Sequence, residues 1–300
     1  MAGATDLLGP KADRAFGLKL VAPAMIILIV LLALPTLLTV VYSLHDVPAS
    51  GSSFGPFVGI ENFTIIFSSP VFWRSAQVTL TFAIGFVVLS TVIGLAMAML
   101  LNQRFIGRGL ARALLIIPWA TPWLVIGILW KWFADGSVGG LNAVLMMLGL
   151  TSDYHPFLSD PNTALPITVL AAVWRQASFA GILLLAGLQT LPEELNEAAQ
   201  LDGANWWQRF SNITLPWLRP VLITVTVFNV IYAFLQFDVV FAMTQGGPGD
   251  TTQVLSVLIY RQLFVNTNIG LGSALAVILG VVALIGGLTI VRLFYRREMH

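Results

Sequence analysis

A few polar and aromatic residues stand inside long apolar runs. There a hydrogen-bonding or charged side chain is costly and faces a cavity or a partner helix. Asn229, Tyr232 and Gln236 fall at i, i+3 and i+7, which is one face of a helix, and Asp238 follows just beyond. Trp174, Arg175, Gln176 and Ser178 form a second group. Amide, hydroxyl and charged partners beside an aromatic platform are what a polyhydroxylated ligand such as a sugar requires. Asn and Gln also hydrogen-bond between neighbouring helices, so the same residues fit interhelical glue. For Arg175, an ion pair with Asp238 or with a residue of a second subunit competes with a ligand role.

Other chemistries lack their residues. Cys is absent, which removes disulfides, thiolate nucleophiles and Cys-ligated metals together. No Gly is followed by Lys, so no phosphate-cradling Gly-x-x-x-x-Gly-Lys loop exists. His45, His155 and His300 are far apart in sequence, and no His-Glu-x-x-His occurs. A Gly-x-Ser-x-Gly match at Gly51, Ser53 and Gly55 lies in a polar loop without the strand and helix that a nucleophile elbow needs.

The elements that must position these residues follow from composition. Of the 300 residues, 57% are hydrophobic and 10% charged, against about 25% charged in a soluble domain. Such a chain cannot cover itself in water; membrane lipid must do part of that. A net charge of +1 implies no bulk acidic or basic partner, nucleic acid included. The apolar run after residues 1–19 is too long for a signal-peptide core and no small-residue cleavage site closes it, so a retained first span is expected.

Six segments reach the roughly 20 apolar residues that cross a hydrocarbon core as helix: 20–44, 76–101, 113–133, 165–188, 221–243 and 271–291. Helix is the expected spanning form, because a backbone in lipid must satisfy its own hydrogen bonds. The chain therefore reads as a cytoplasmic segment, 1–19, followed by one all-α integral membrane domain, 20–300. Eleven Lys and Arg collect on one side, three on the other, and Arg175 falls within a span. By the positive-inside rule both termini are cytoplasmic. Pro118 and Pro122 in the third span break its hydrogen bonding locally, as a hinge or as a fixed kink.

The sizeable cytoplasmic connection is 189–220. Pro192 suits the first position of a helix, and Glu193 and Glu194 favour its positive N-terminal dipole. Ala198, Ala199 and Leu201 extend that helix, Asp202 follows, and Gly203 ends it as a left-handed cap. A second short helix, from about Trp206 to Ile213, runs to Leu215-Pro216, where Pro216 is expected to break it before the fifth span. The result is a helix, a tight turn and a helix, with small residues at the corner. A hairpin resting on lipid headgroups is the competing reading, which Trp206, Trp207 and Trp217 would suit.

Glu197-Ala198-Ala199, three residues, Gly203, nine residues, Ile213, one residue, Leu215-Pro216 resembles the coupling motif of binding-protein-dependent ABC importer permeases. It also lies between the fourth and fifth of six spans, as in that family, and the resemblance extends over nearly the whole chain. Gly246-Gly247-Pro248-Gly249 with Thr252 and Tyr260-Arg261, and Ala186-Gly187-Leu188-Gln189, resemble the sugar-permease branch related to maltose and glycerol-phosphate permeases. The resemblance implies a type I ABC importer permease fold with a cytoplasmic coupling helix, in a bacterial cell membrane. It implies a second homologous permease, an ATPase dimer gripping the helix around Glu197 to Gly203, and an extracytoplasmic substrate-binding protein, often a lipoprotein. It implies a sugar, a disaccharide such as trehalose, as cargo. ATP and Mg would sit on the ATPase, with no cofactor on this chain and no catalysis by it. An ion-gradient-driven secondary transporter is the rival, and it predicts acidic residues in mid-span; none occurs there.

Overall fold

A computed structural model describes residues 10–47 and 55–295. Gly51 and Ser53 of the Gly-x-Ser-x-Gly match, with Arg296, Arg297 and His300, lie outside the described residues. The chain is built from helices. The first span joins α1 (Pro10–Leu28), a π-helical turn (Ile29–Ala33) and α2 (Leu34–Ser43); helix thus already begins inside the expected segment 1–19. α3 (Glu61–Ser68) precedes α4 (Pro70–Asn102), which forms the second span. Then come α5 (Arg108–Ala120), α6 (Trp123–Phe133), α7 (Gly140–Met147) and α8 (Ala164–Gln189). α9 (Glu193–Leu201), α10 (Trp206–Arg209) and a second π turn (Phe210–Thr214) lead into α11 (Leu215–Leu235). α12 (Asp238–Thr244), α13 (Leu255–Tyr260), a third π turn (Arg261–Val265) and α14 (Ile269–Tyr295) complete the order.

Among the described residues, five helical runs are long and apolar enough to cross a membrane, and α5 with α6 makes a sixth when the pair is taken as one span. That pair is not the continuous 113–133 helix expected: it is bent by 100° at the break between its halves. The break falls at Thr121 and Pro122, both extended (ψ 131° and 143°). A residue before proline is pushed out of the helical region, which explains the position. Pro118, by contrast, sits within α5 and breaks nothing.

The fifth span also departs from expectation. Helix continues without a stop from Trp206 to Leu235, so Pro216 does not end a helix there. The π turn 210–214 immediately precedes Leu215-Pro216 and widens the backbone where proline supplies no N–H. The first span repeats the device, with a π turn at 29–33 ahead of Pro35. At its far end the fifth span stops at Leu235 rather than Met243, and Gln236 is extended. The Ser256 hydroxyl donates to the freed Gln236 carbonyl at 2.6 Å.

The core lies between α4 and α8. Ser90, Gly94 and Ala98 repeat every four residues along α4 and are buried. A Cβ on Gly94 would stand 2.6 Å from the Ala180 Cβ and 3.0 Å from the Ala177 carbonyl oxygen. Small residues at this spacing let two membrane helices approach closely, which is how helices associate where lipid is as apolar as leucine. Gly127 performs the same task between α6 and α12, since its Cβ would meet that of Ala242 at 2.6 Å. Each broken span thus packs on the other.

Candidate functional site: the helical elbow and the polar cluster of the broken spans

The α9–α10 elbow is assembled by local chemistry. Pro192 is the residue before α9, one position earlier than expected, and Glu193 and Glu194 occupy the first turn. At the other end Asp202 caps the helix and Gly203 takes a left-handed conformation with φ +78°. The Gly203 amide donates to the Gln200 carbonyl at 3.0 Å and the Ala204 amide to the Ala199 carbonyl at 2.9 Å. This is a Schellman closure, which satisfies two orphan carbonyls of the helix end. Two residues on, Asn205 starts α10 through a reciprocal box with Gln208, at 2.8 and 2.9 Å.

The elbow is tied at its base and free at its tip. Arg104 of the α4–α5 turn pairs with Glu193 at 2.8 Å, and the Trp217 indole donates to the Thr190 hydroxyl at 3.2 Å. No residue of α9 is buried. Glu197, Ala198, Asp202 and Gly203 are exposed, Ala199 and Ile213 are half-buried, and Leu215 and Pro216 are exposed at the head of α11. A Cβ on Gly203 would meet nothing within 4 Å. Glycine is therefore needed here for its backbone freedom, and the space over the corner is open. Leu201, beside that corner, is 90% exposed; its apolar type within a helix gave no signal that it would point outward.

The polar cluster separates into an inner and an outer part. Asn229 is fully buried; it accepts from the Gln176 amide at 2.7 Å and donates to the Thr91 hydroxyl at 3.0 Å, which binds α11 to α8 and α4. Ser178 is buried and bonds within α8 to the Trp174 carbonyl. Tyr232 instead points outward from α11, and Gln236 lies past the helix end, so the three residues do not share one helical face. Gln176 Oε1 and Gln236 Nε2 are buried and have no partner among the described residues.

Arg175 makes no ion pair with Asp238. Its Nε donates to the Thr121 carbonyl at 2.9 Å, and its guanidinium lies 4.1 Å from the centroid of the Trp123 ring. Thr121 is the residue whose carbonyl the Pro122 break leaves free, so the arginine answers the break directly. Asp238 opens the first turn of α12, where a carboxylate complements the helix dipole. Around Arg175 the rings of Trp123 and Tyr232 approach to 6.2 Å, Tyr232 and Phe228 to 6.5 Å, and Phe228 and Phe179 to 5.8 Å. Trp174 contacts Trp130 at 6.3 Å. Phe228, Tyr232 and Trp174 are each about two-fifths exposed, which makes an open aromatic wall with one guanidinium in it. Trp123 and Thr91 were not singled out in the sequence.

The Gly246–Gly249 loop is closed by side chains of its own motif. Gly246 and Gly249 have φ +93° and +51°. Thr252 bonds Thr244 and the Gly247 carbonyl, while Arg261 holds Asp250 at 2.7 Å, the Gln245 carbonyl at 3.0 Å, and Gln253. In the neighbouring loop the amides of Ser137 and Val138 bond the Asp135 carboxylate and hold it below its usual pKa.

Comparison with known proteins places this architecture. Residues 90–297 match the family described as binding-protein-dependent transport system inner membrane component. The chain is 38% identical over 273 residues to the trehalose/maltose transport system permease protein MalF of Thermococcus litoralis, covering 91% of each. It is 35% identical to the sulfoquinovosyl glycerol transport system permease protein SmoG of Agrobacterium fabrum, covering 89% of this chain and 86% of that one. A crystal structure of a bacterial ABC transporter that imports the acidic polysaccharide alginate superposes with a TM-score of 0.80 over 95% of this chain, at 24% identity, and shares its fold. The chain therefore belongs to the inner membrane components of binding-protein-dependent transport systems, as a non-catalytic, multi-pass permease subunit.

Proposed function

We propose that this chain forms half of the translocation pathway of an ATP-driven sugar importer, with a disaccharide such as trehalose as cargo. Relatives whose names specify trehalose, maltose and a sulfoquinovosyl glycerol support a sugar. The second half would be a homologous permease, an ATPase dimer would bind ATP and Mg, and an extracytoplasmic lipoprotein would deliver the sugar. Both termini and the elbow would face the cytoplasm, since eleven of the fifteen Lys and Arg fall on that side.

The observation that carries the reading is the elbow itself: a short helix with no buried residue, ended by a left-handed glycine with open space over it. Such an element packs little on its own chain and is shaped to seat in another protein. ATP binding would close the ATPases, carry the seated helix with them and turn the spans outward. The mechanism requires ATP and sugar to bind the two states unequally. The aromatic wall of Trp123, Tyr232 and Phe228 beside Arg175 suits the apolar faces and hydroxyls of a sugar.

The test is the importer co-purified from its native membrane. ATP hydrolysis should rise when its binding protein is loaded with trehalose or maltose. Gly203→Leu should abolish uptake while membrane insertion is unchanged, because the turn projects into open space and the strain is local. Normal uptake by that variant would remove the coupling role.

A further inference from the structure

Behind the elbow lies a cavity that shares only Glu197 with the coupling motif. The end of α4, the start of α5, α9 and α10 enclose about 750 Å³. Arg104, Arg108, Arg112 and Arg209 line it, against the carboxylates of Glu193 and Glu197. Arg104 and Glu193 neutralise one another at 2.8 Å. Arg112 gives one bond from Nη2 to the Leu101 carbonyl at 2.9 Å, and the Gln189 side-chain amide lies 2.9 and 3.2 Å from the two Nη atoms of Arg112. Its Nε is buried and has no partner among the described residues. Arg108 makes one long bond of 3.4 Å to the Gln103 carbonyl. Arg209 enters none of the ion pairs among the described residues. Arg108, Arg112 and Arg209 are all half-buried. The cavity thus holds more guanidinium than carboxylate, and its hydrogen bonds leave donors unused.

Aromatic rings join the guanidinium groups in its lining. Trp206 and Phe210 both line it and stack with ring planes within 3° and centroids 5.6 Å apart. Between Arg104 and Arg108 the turn presents Phe105 and a fully exposed Ile106, and Leu110 and Leu114 continue an exposed apolar face along α5. A small soluble anion has no use for such rings and for the exposed apolar residues of the adjoining turn, whereas an amphiphile does. Basic pockets between spanning helices at a membrane surface take anionic headgroups. We propose that this cavity binds the phosphodiester headgroup of an anionic phospholipid, with its glycerol against Trp206 and Phe210 and its chains beside Ile106 and Leu110. The lipid would join the α4–α5 turn to α9 and so brace the elbow from behind. Only the choice of leaflet rests on the orientation proposed above.

Native mass spectrometry of the assembled importer, exchanged into phosphatidylglycerol or phosphatidylcholine, reads this directly. Phosphatidylglycerol should be retained and phosphatidylcholine not. Arg108→Gln with Arg209→Gln should weaken retention about 30-fold, on about 1 kcal/mol for each basic residue at a lipid surface. Arg108→Lys with Arg209→Lys keeps the charge and should restore retention, which guards against simple misfolding. Equal retention of both lipids, or retention unchanged in the Gln variant, overturns the proposal. No retained lipid on the full complex also overturns it and gives the cavity to an ATPase surface. Displacement by inorganic phosphate overturns the lipid and leaves a soluble phosphate ester as occupant. Uptake is measured separately, so failure here leaves the importer reading untouched, and the reverse.

Discussion

Single side chains in this protein divide between those that join helices and those that face open space. Asn229 joins: it is fully buried and bonded to Gln176 and Thr91 on two other spans. Hydrogen bonds between membrane helices contribute about 0.6 kcal/mol on average and up to about 1.7. Asn229→Ala should therefore lower the unfolding free energy in detergent by about 1 kcal/mol, and a double-mutant cycle with Gln176→Ala should show coupling of that size. Tyr232→Ala, on the exposed wall, should leave the unfolding midpoint unchanged and raise the sugar concentration needed for half-maximal uptake. The reverse pattern would exchange the two assignments. The sequence placed Asn229 and Tyr232 on one face because i and i+3 are neighbours on a helix surface, yet about 60° separates them around the axis. That angle is enough to put one inside the bundle and the other outside. Arg175 was legible as important but not in its partner, since its nearest acceptor is a backbone carbonyl freed by a break 54 residues away.

At the scale of elements, span lengths were readable because a long apolar run has one stable form in lipid, and four of the six lie close to where composition puts them. The third and fifth do not, and their departures have causes that hydropathy does not see. Pro122 breaks one span through the restriction it imposes on Thr121, whereas Pro216, two residues past a π turn, breaks nothing. The end of α11 at Leu235 carries no proline or glycine at all. There Ser256 and the packing of α12 on α6 decide, and both are tertiary. The corner of the elbow was readable, because a left-handed glycine cap at Gly203 is written in neighbouring residues, whereas Pro216 does not end its second helix and the Asn205–Gln208 box was not singled out. One of the close approaches between elements is that of Gly94 to Ala180. Gly94→Leu must push α4 from α8, and overpacking of this kind costs about 1–3 kcal/mol. A matching drop in the thermal midpoint of the purified chain should follow, with loss of yield from the membrane. A chain that keeps its wild-type midpoint would place the α4–α8 seam elsewhere.

The whole molecule leaves much of itself uncovered. The most apolar stretch of the first span has no buried residue, and Leu20, Leu31 and Leu32 are each more than 60% exposed. Lipid covers such a surface, and a second permease would cover the part along the aromatic wall. The elbow asks for a third partner, because a helix with no buried residue, tied to its own chain only at its base, transmits little force unless something grips it. Two results follow. The chain carries no phosphate-cradling loop, so alone in vesicles it should neither hydrolyse ATP nor accumulate sugar, while the full assembly should do both. Its lack of cysteine makes the orientation of the elbow directly measurable. Leu201→Cys, at the elbow, and Val138→Cys, between α6 and α7, are both well-exposed positions. A membrane-impermeant maleimide should label Val138→Cys in intact cells and Leu201→Cys only after the membrane is opened. Labelling of Leu201→Cys from outside would invert the molecule, put the elbow beyond reach of any cytoplasmic ATPase, and end its role as a lever.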